Sequence, residues 1–474
     1  MKKISILLML LLFFSASFAQ KDTTKYKRGL KYDDTGYQST QMKAPLVRSM
    51  YGNSLPTSAS LVDYAPTPLS QGSYSTCVGW ASAYCALTIV EAKTLNLTDK
   101  AKITENAFSP GFLYKHIKDD GDANCAWGSS LSDALNILKT VGAVRYSELS
   151  INCPDNITSN LLSNAKNYRI TDYAKLFGLT DGNAFKIQAV KKSLSENNPV
   201  VIGMLVPNSF YQATDVWMPT ETHLGDYGGH AMCVVGYDDN KAGGAFLVQN
   251  SWGVEWGNSG YIWIKYATFA DFTKYAYEII GNMASGYPHK TVAEEKVLKG
   301  AIRYERSGTN GAGVSMNATR KGNVFRMKDS YKSGTQFRIY IRNSEPAYVY
   351  AFGTDATQAI FPVFPYDKLI SPALNYSDNE VALPDEQHYI QMDKTVGTDY
   401  MCVLYSTEPL NFEQIIKDVE SGYGTFAERI KGALGTKLLN NEEIDFSEGS
   451  VISFDAKSKT KTVVSMIVEI NHVP

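Results

Sequence analysis

Apolar residues recur at helical spacing from position 78 to about 93, where Trp80, Ala81, Tyr84, Leu87, Ile89 and Val90 share one broad stripe. This predicts a buried helix, entered through a turn over Gly72 to Ser75. A second helix is expected over 108–117, opening at a Ser-Pro step. A third runs from Ser130 to about Val141, with Leu131, Ala134, Leu135 and Leu138 on one face and Gly142 as its stop. After a further helix over 184–194 the texture changes. Residues 199–206 read as a buried strand, and 230–237 with 245–250 read as two strands joined by the turn-rich stretch 238–244. If that hairpin turns near Asn240 or Lys241, position 230 lies opposite 250 or 251. Beyond residue 285 the pattern is mostly strand, at 337–341, 348–352, 400–405 and 462–470. The exception is a helical segment from 412 to about 434, interrupted near Gly422 and Gly424.

The order of these elements predicts an α+β region in two lobes, helical and then β, over residues 55–285. A linker over 286–299 and an all-β domain over 300–474, a sandwich in the simplest arrangement, follow it. A length of 474 residues, 44% apolar and 20% charged with 30 Tyr, fits two or three folded domains. The first 19 residues carry Lys2 and Lys3, a largely apolar run, and the small-x-small end Ser17-Phe18-Ala19, which is the pattern of a secretory signal peptide. The apolar run is too short to span a bilayer, so a soluble protein exported to the periplasm or the medium and starting near Gln20 is expected. Residues 20–54 form a polar leader with little apolar periodicity. It is expected to be extended or partly ordered and to leave the purified protein reactive rather than inhibited.

A net charge of −2 offers no cationic surface for nucleic acid or for a membrane. Six cysteines, Cys77, Cys85, Cys125, Cys153, Cys233 and Cys402, are too few for a disulfide-built scaffold, and for Cys125 and Cys153 a bridge and two free thiols fit the residues equally. His116, His223, His289, His388 and His472 lack ligand spacing, so no metal and no cofactor are expected.

Candidate chemistry gathers at three elements. Cys77 stands at the start of the first helix, where unpaired backbone N–H groups and the helix dipole favour the thiolate, the reactive form. Such a nucleophile needs a base and an orienter for that base. His230, at the start of a strand, and Asn250, at the end of its hairpin partner, supply residue types suited to both roles: an amide oxygen accepting from one ring N–H leaves the other nitrogen for the thiol.

At these residues the chain resembles the papain family of cysteine peptidases, secreted bacterial members included. The matching text is Gln71-Gly72-Ser73 with Cys77, Gly229-His230-Ala231, Asn250-Ser251-Trp252-Gly253, Trp256-Gly257, Gly260-Tyr261 and Ile264, within a similarity covering roughly residues 55–285. Val78-Gly79 stand where many members carry Trp-Ala, and Tyr74 stands where a family cysteine is usual. The resemblance implies a papain-like two-lobe fold with a cleft between helical and β-barrel-like lobes. It implies Cys77 as nucleophile, His230 as base and then acid, Asn250 as orienter, and Gln71 as side-chain donor of the oxyanion hole. A Cys125–Cys153 disulfide is likewise implied by the resemblance and an oxidising compartment. The expected activity is endopeptidase cleavage of peptides or proteins through a Cys77 thioester. An exopeptidase, with the 207–227 insertion closing one end of the cleft, and a catalytically vestigial binding protein are the alternatives. The C-terminal segment resembles an uncharacterised β module found beside bacterial peptidase and signalling domains, and its aromatics are a possible surface for a ligand or partner.

Overall fold

The computed structural model describes residues 26–44, 46, 55–281, 295–308, 312–322, 324–375 and 377–474. The expected signal peptide and most of the expected linker lie outside these residues. The predicted first helix runs through three consecutive stretches, Cys77–Gly79, Trp80–Leu87 and Thr88–Thr94, the middle one wound with the wider π repeat. Every residue from 75 to 92 is buried, so this helix is enclosed on all sides rather than along one stripe. Small residues permit that enclosure: a Cβ on Gly79 would come within 2.4 Å of the Pro110 carbonyl oxygen on the neighbouring helix.

That neighbour is Pro110–Ile117, capped by Ser109, whose hydroxyl accepts from the Phe112 N–H. The third helix is Leu131–Thr140, capped in the same way by Ser130 and ended by Gly142 at φ +101°. Against these helices stands a sheet ordered Asp172–Lys175, Thr273–Ile280, Val200–Leu205, Gly229–Asp238, Ala245–Gln249, Tyr261–Lys265 and Val216–Trp217, with Ser58–Ser60 also paired to Gly229–Asp238. The 229–249 hairpin differs from its predicted register. A bulge at Val235 shifts the pairing so that Cys233 faces Gln249, and Asn250 lies past the end of its strand.

The C-terminal region holds two seven-stranded sheets that share a core including Ile302, Ile339, Ile341, Val349, Val403 and Val464. Its first strand, Lys296–Ser307, begins inside the segment expected to be linker. Helices Phe412–Ser421 and Phe426–Leu434 cover the outer face of one sheet through Ile415, Val419, Phe426 and Ile430. They are the helical segment expected over 412–434, divided at Gly422–Thr425. Ala174 and Ile280 of the peptidase-side sheet are buried with Tyr348, Tyr350 and Phe352 in the same cluster, so the two domains share a contact.

The leader departs most from expectation. Residues 26–44 are ordered against the folded body and contain a short helix, Asp34–Ser39, capped by Asp33. Tyr37 is fully buried, donates through its hydroxyl to the Phe177 carbonyl at 2.6 Å, and accepts from the Ala276 N–H at 3.2 Å. The polar composition hid this because the leader contributes isolated anchors, Tyr26, Leu30 and Tyr37, without a periodic stripe.

Candidate active site

Cys77 is the first helical residue, after Thr76, which makes no side-chain capping bond. The Ala231 N–H points at its sulfur, with N to Sγ at 3.4 Å, so the strand start at 229–231 lies directly over the helix start. His230 Nε2 and Asn250 Oδ1 are 2.7 Å apart. His230 Nδ1 is buried without a hydrogen-bond partner, and it is the ring nitrogen left for the thiol once Asn250 holds the other. The indole of Trp252 stacks on the imidazole with centroids 4.7 Å apart and shelters the Asn–His bond from water.

Gln71 sits in the loop before the helix, held at both ends of its amide. Its Oε1 accepts from Ser251 Oγ at 2.7 Å and its Nε2 donates to the Tyr74 carbonyl at 2.7 Å. An amide nitrogen carries two N–H donors, so one remains for a substrate oxygen. Its backbone N–H donates to the Ser251 carbonyl at 2.8 Å, which ties this loop to the strand end bearing Asn250. The structure therefore brings Gln71, Cys77, His230 and Asn250 to one junction between the helical lobe and the sheet. Cys125 and Cys153 are bonded, with Cα atoms 5.8 Å apart, and the Cys125 carbonyl accepts from the Ser75 N–H at 2.8 Å, bracing the turn into Cys77.

Sequence reasoning did not anticipate that the leader fills this junction. Tyr26 stacks on Trp252 at 5.1 Å, and Trp252 Nε1 donates to the Lys27 carbonyl at 2.8 Å. Gly29 and Leu30 both donate to the Gly229 carbonyl, while Ser129 donates to Gly29 and Lys31 to Ser129, each of the last two at 2.9 Å. The Leu30 side chain enters an apolar recess beside Leu131, Gly203 and Tyr275. At Gly29 the chain passes so close to the Ser75 carbonyl that an added Cβ would lie 2.0 Å from its oxygen. Facing it, Gly128, at φ +80°, would put a Cβ 2.2 Å from the Gly29 oxygen.

This cover reverses the electrostatics expected of the open site. Cys77 and His230 are both fully buried. Burial pushes the Cys77 thiol up to about 12, against the pull of the N–H groups of Ala231, Val78 and Cys77 itself. Burial also pushes His230 down to about 4, opposed by the Asn250 bond and reinforced by the Arg28 guanidinium of the leader. Arg28 is held by donating to the Val206 carbonyl at 2.9 Å. The covered site thus holds a neutral thiol and a neutral imidazole, and the expected reactivity of the leader-bearing protein does not fit this arrangement.

A second hydroxyl–imidazole–carboxylate chain lies in the C-terminal domain, where Ser333 Oγ is 3.0 Å from His472 Nε2 and Asp399 Oδ2 is 3.1 Å from His472 Nδ1. Its Nδ1 contact is misaligned for a hydrogen bond, and the N–H groups of Ser333, Gly334 and Thr335 are all spent on backbone carbonyls. None of these three N–H groups is free to meet an oxyanion. No group of three His, Cys, Asp or Glu side chains among the described residues is placed to hold a metal ion.

Residues 112–279 match the family model described as papain family cysteine protease, and residues 330–409 match a domain of unknown function (DUF4384). The chain carries a papain-family cysteine protease domain, a hydrolase domain, followed by this uncharacterised one. The matched range contains His230 and Asn250, whereas Gln71 and Cys77 precede it and rest on the geometry above. The chain is 34% identical over 90 residues to an uncharacterized peptidase C1-like protein of Acanthamoeba polyphaga mimivirus, covering 18% of this chain and 28% of that one. It is 35% identical over 118 residues to a gut-specific cysteine proteinase of Caenorhabditis elegans, covering 23% of this chain and 34% of that one. It thus spans between 28% and 34% of the length of these relatives. Among solved structures it is similar to xylellain, a cysteine protease from Xylella fastidiosa, with a TM-score of 0.44 at 22% identity over 54% of this chain and 96% of that one.

Proposed function

We propose that this chain is an exported cysteine endopeptidase made in a latent, leader-covered form. The observation that carries the reading is the junction at which the Ala231 N–H meets the Cys77 sulfur while Asn250 fixes His230 with its other ring nitrogen unpartnered. Once the leader withdraws, His230 takes the thiol proton, the thiolate attacks a peptide carbonyl, and the oxyanion that forms is met by the Cys77 N–H and the Gln71 amide. The imidazolium then protonates the leaving amine, and water resolves the thioester by the reverse proton path. Endopeptidase action is supported by the leader itself, whose residues 26–32 run as a continuous chain past Trp252, Gly229 and Tyr227. Export is supported by the N-terminal pattern and by the Cys125–Cys153 bond, which belongs to oxidising compartments.

The test is peptide hydrolysis by the leader-free protein and its Cys77→Ala variant, with labelling by an epoxide-type thiol-peptidase inhibitor. Loss of both hydrolysis and labelling in the variant, with an unchanged melting temperature, is expected. Full hydrolysis by Cys77→Ala overturns the assignment, and labelling without any peptide turnover would favour a binding protein.

A further inference from the structure

Past the cleft the leader does not leave the molecule. Its Asp34–Ser39 helix lies against the sheet, and residues 41–44 and Leu46 then enter the seam between the two domains. Met42 is bridged on both sides at once. The Lys175 N–H donates to the Gln41 carbonyl and the Lys43 N–H to the Lys175 carbonyl, both at 2.9 Å, on the peptidase side. On the C-terminal side, the Met42 N–H donates to the Leu369 carbonyl at 2.6 Å and the Ser371 N–H to the Met42 carbonyl at 2.8 Å. One leader residue thus completes a ladder between the edge strand Asp172–Lys175 and the Leu369–Ser371 segment of the other domain. The next side chain, Lys43, reaches Glu278 of the peptidase sheet at 2.7 Å and Asn375 of the C-terminal domain, and Asn375 also donates to Glu278. Beyond it Ala44, fully buried, and Leu46 belong to the core of the C-terminal domain.

We propose that the C-terminal domain of unknown function is the retention device for the leader: with the peptidase edge strand it forms a docking groove whose occupant is residues 41–44 and Leu46 of this same chain, and this tie keeps residues 26–32 in the cleft. The proposal rests on the reading of the chain as a latent peptidase, because only then does holding the leader regulate anything. The division of labour follows from the contacts. Cleft residues are held by four backbone bonds to Gly229 and Ser129, by bonds at the Lys27 carbonyl, Arg28 and Tyr32, by the Tyr26 stack on Trp252 and by Leu30, all of them to the peptidase domain alone. The tie adds four backbone bonds, a buried charged pair and entry into a hydrophobic core, and it fixes the distance over which the cleft segment can stray. A cut anywhere between the two segments frees the cleft and leaves residues 41–44 and Leu46 as a lasting part of the enzyme.

The experiment uses the full chain with Cys77→Ala, so that no self-cleavage intervenes and the result is independent of peptidase activity. Hydrogen exchange is followed at the Leu30 and Lys31 amides and, as a check of the fold, across Val200–Leu205. Two leader substitutions act on the tie while leaving the sequences of both domains unchanged: Met42→Pro removes the N–H given to Leu369, and Ala44→Asp places a charge where the leader enters the core. Loss of one or two such bonds predicts exchange at Leu30 and Lys31 about tenfold faster or more, with Val200–Leu205 unchanged. Exchange at the cleft amides within twofold of the parent in both variants overturns the proposal, whatever the peptidase assays show. If one variant loses protection across Val200–Leu205, the other decides.

Discussion

Of the four residues at the junction, Gln71 has the most separable task. Its amide touches neither the thiol proton nor the imidazole, and both its ends are anchored, by Ser251 and Tyr74. Gln71→Ala in the leader-free enzyme is expected to bind substrate with little change and to lose on the order of 10²-fold in kcat, the scale of one oxyanion donor. Steady-state kinetics separate this from a KM effect. Cys77 and His230 dictate a pH response of the covered state. With the leader in place His230 titrates near 4 rather than its usual 6.5, so only the opened site takes up a proton as pH falls through that interval, and acidification from about 6.5 to about 4 favours opening. The thiol gives the opposite limb: burial pushes it up to about 12 in the covered state, so rising pH, which draws the proton off an uncovered thiol first, also favours opening. Leader retention, read by exchange of the Leu30 amide in the Cys77→Ala protein for the acid limb, should therefore be firm at neutral pH and weaken below about 6.5. Flat retention from pH 7 to 4 contradicts this account.

At the scale of elements, the leader strand is selected by shape as much as by bonds, because Gly29 passes the Ser75 carbonyl with no room for a side chain. Gly29→Val forces an overlap that costs about 1–3 kcal/mol in a packed setting, which corresponds to roughly ten- to hundredfold more open cleft. A small alkylating agent should then label Cys77 of the full-length protein faster by that factor, and unchanged labelling would place the leader elsewhere in solution. The same strand marks where the sequence stops being legible. The helices at 110–117 and 131–140 declared themselves through Ser caps and apolar spacing, and the strand bearing His230 and the one ending just before Asn250 through apolar runs flanking a turn-rich loop. The π-wound stretch Trp80–Leu87 and the bulge at Val235 did not, since neither alters the order of apolar residues. The leader was invisible for a related reason: its ordering comes from backbone pairing to Gly229, Ser129, Lys175 and Leu369, to which side-chain composition is blind.

At the scale of the whole molecule, three distant segments meet at Lys43, Glu278 and Asn375, with Ser193 donating to Glu278 as well. Lys43 is buried, and desolvation pushes it down to about 8 even with Glu278 beside it. Breaking such a buried pair from one side typically costs about 3–5 kcal/mol because the remaining charge is stranded, whereas neutralising both sides costs far less. Lys43→Met is therefore expected to lower the unfolding midpoint clearly, and Lys43→Met with Glu278→Gln to recover more than half of the loss; additive losses in a denaturation series would show that the pair is not coupled. The seating of Ala44 and Leu46 among strands that include Val463–Val473 has a consequence for timing. A chain made from its N-terminus can assemble the junction of Cys77, His230 and Asn250 long before the residues that hold Ala44 and Leu46 exist. The nascent enzyme therefore passes through an interval in which its guard is present but has nothing to fasten to. Chains arrested after residue 281 and probed with a thiol reagent should label at Cys77 faster than the finished protein, so the moment of greatest self-exposure falls during synthesis rather than after it.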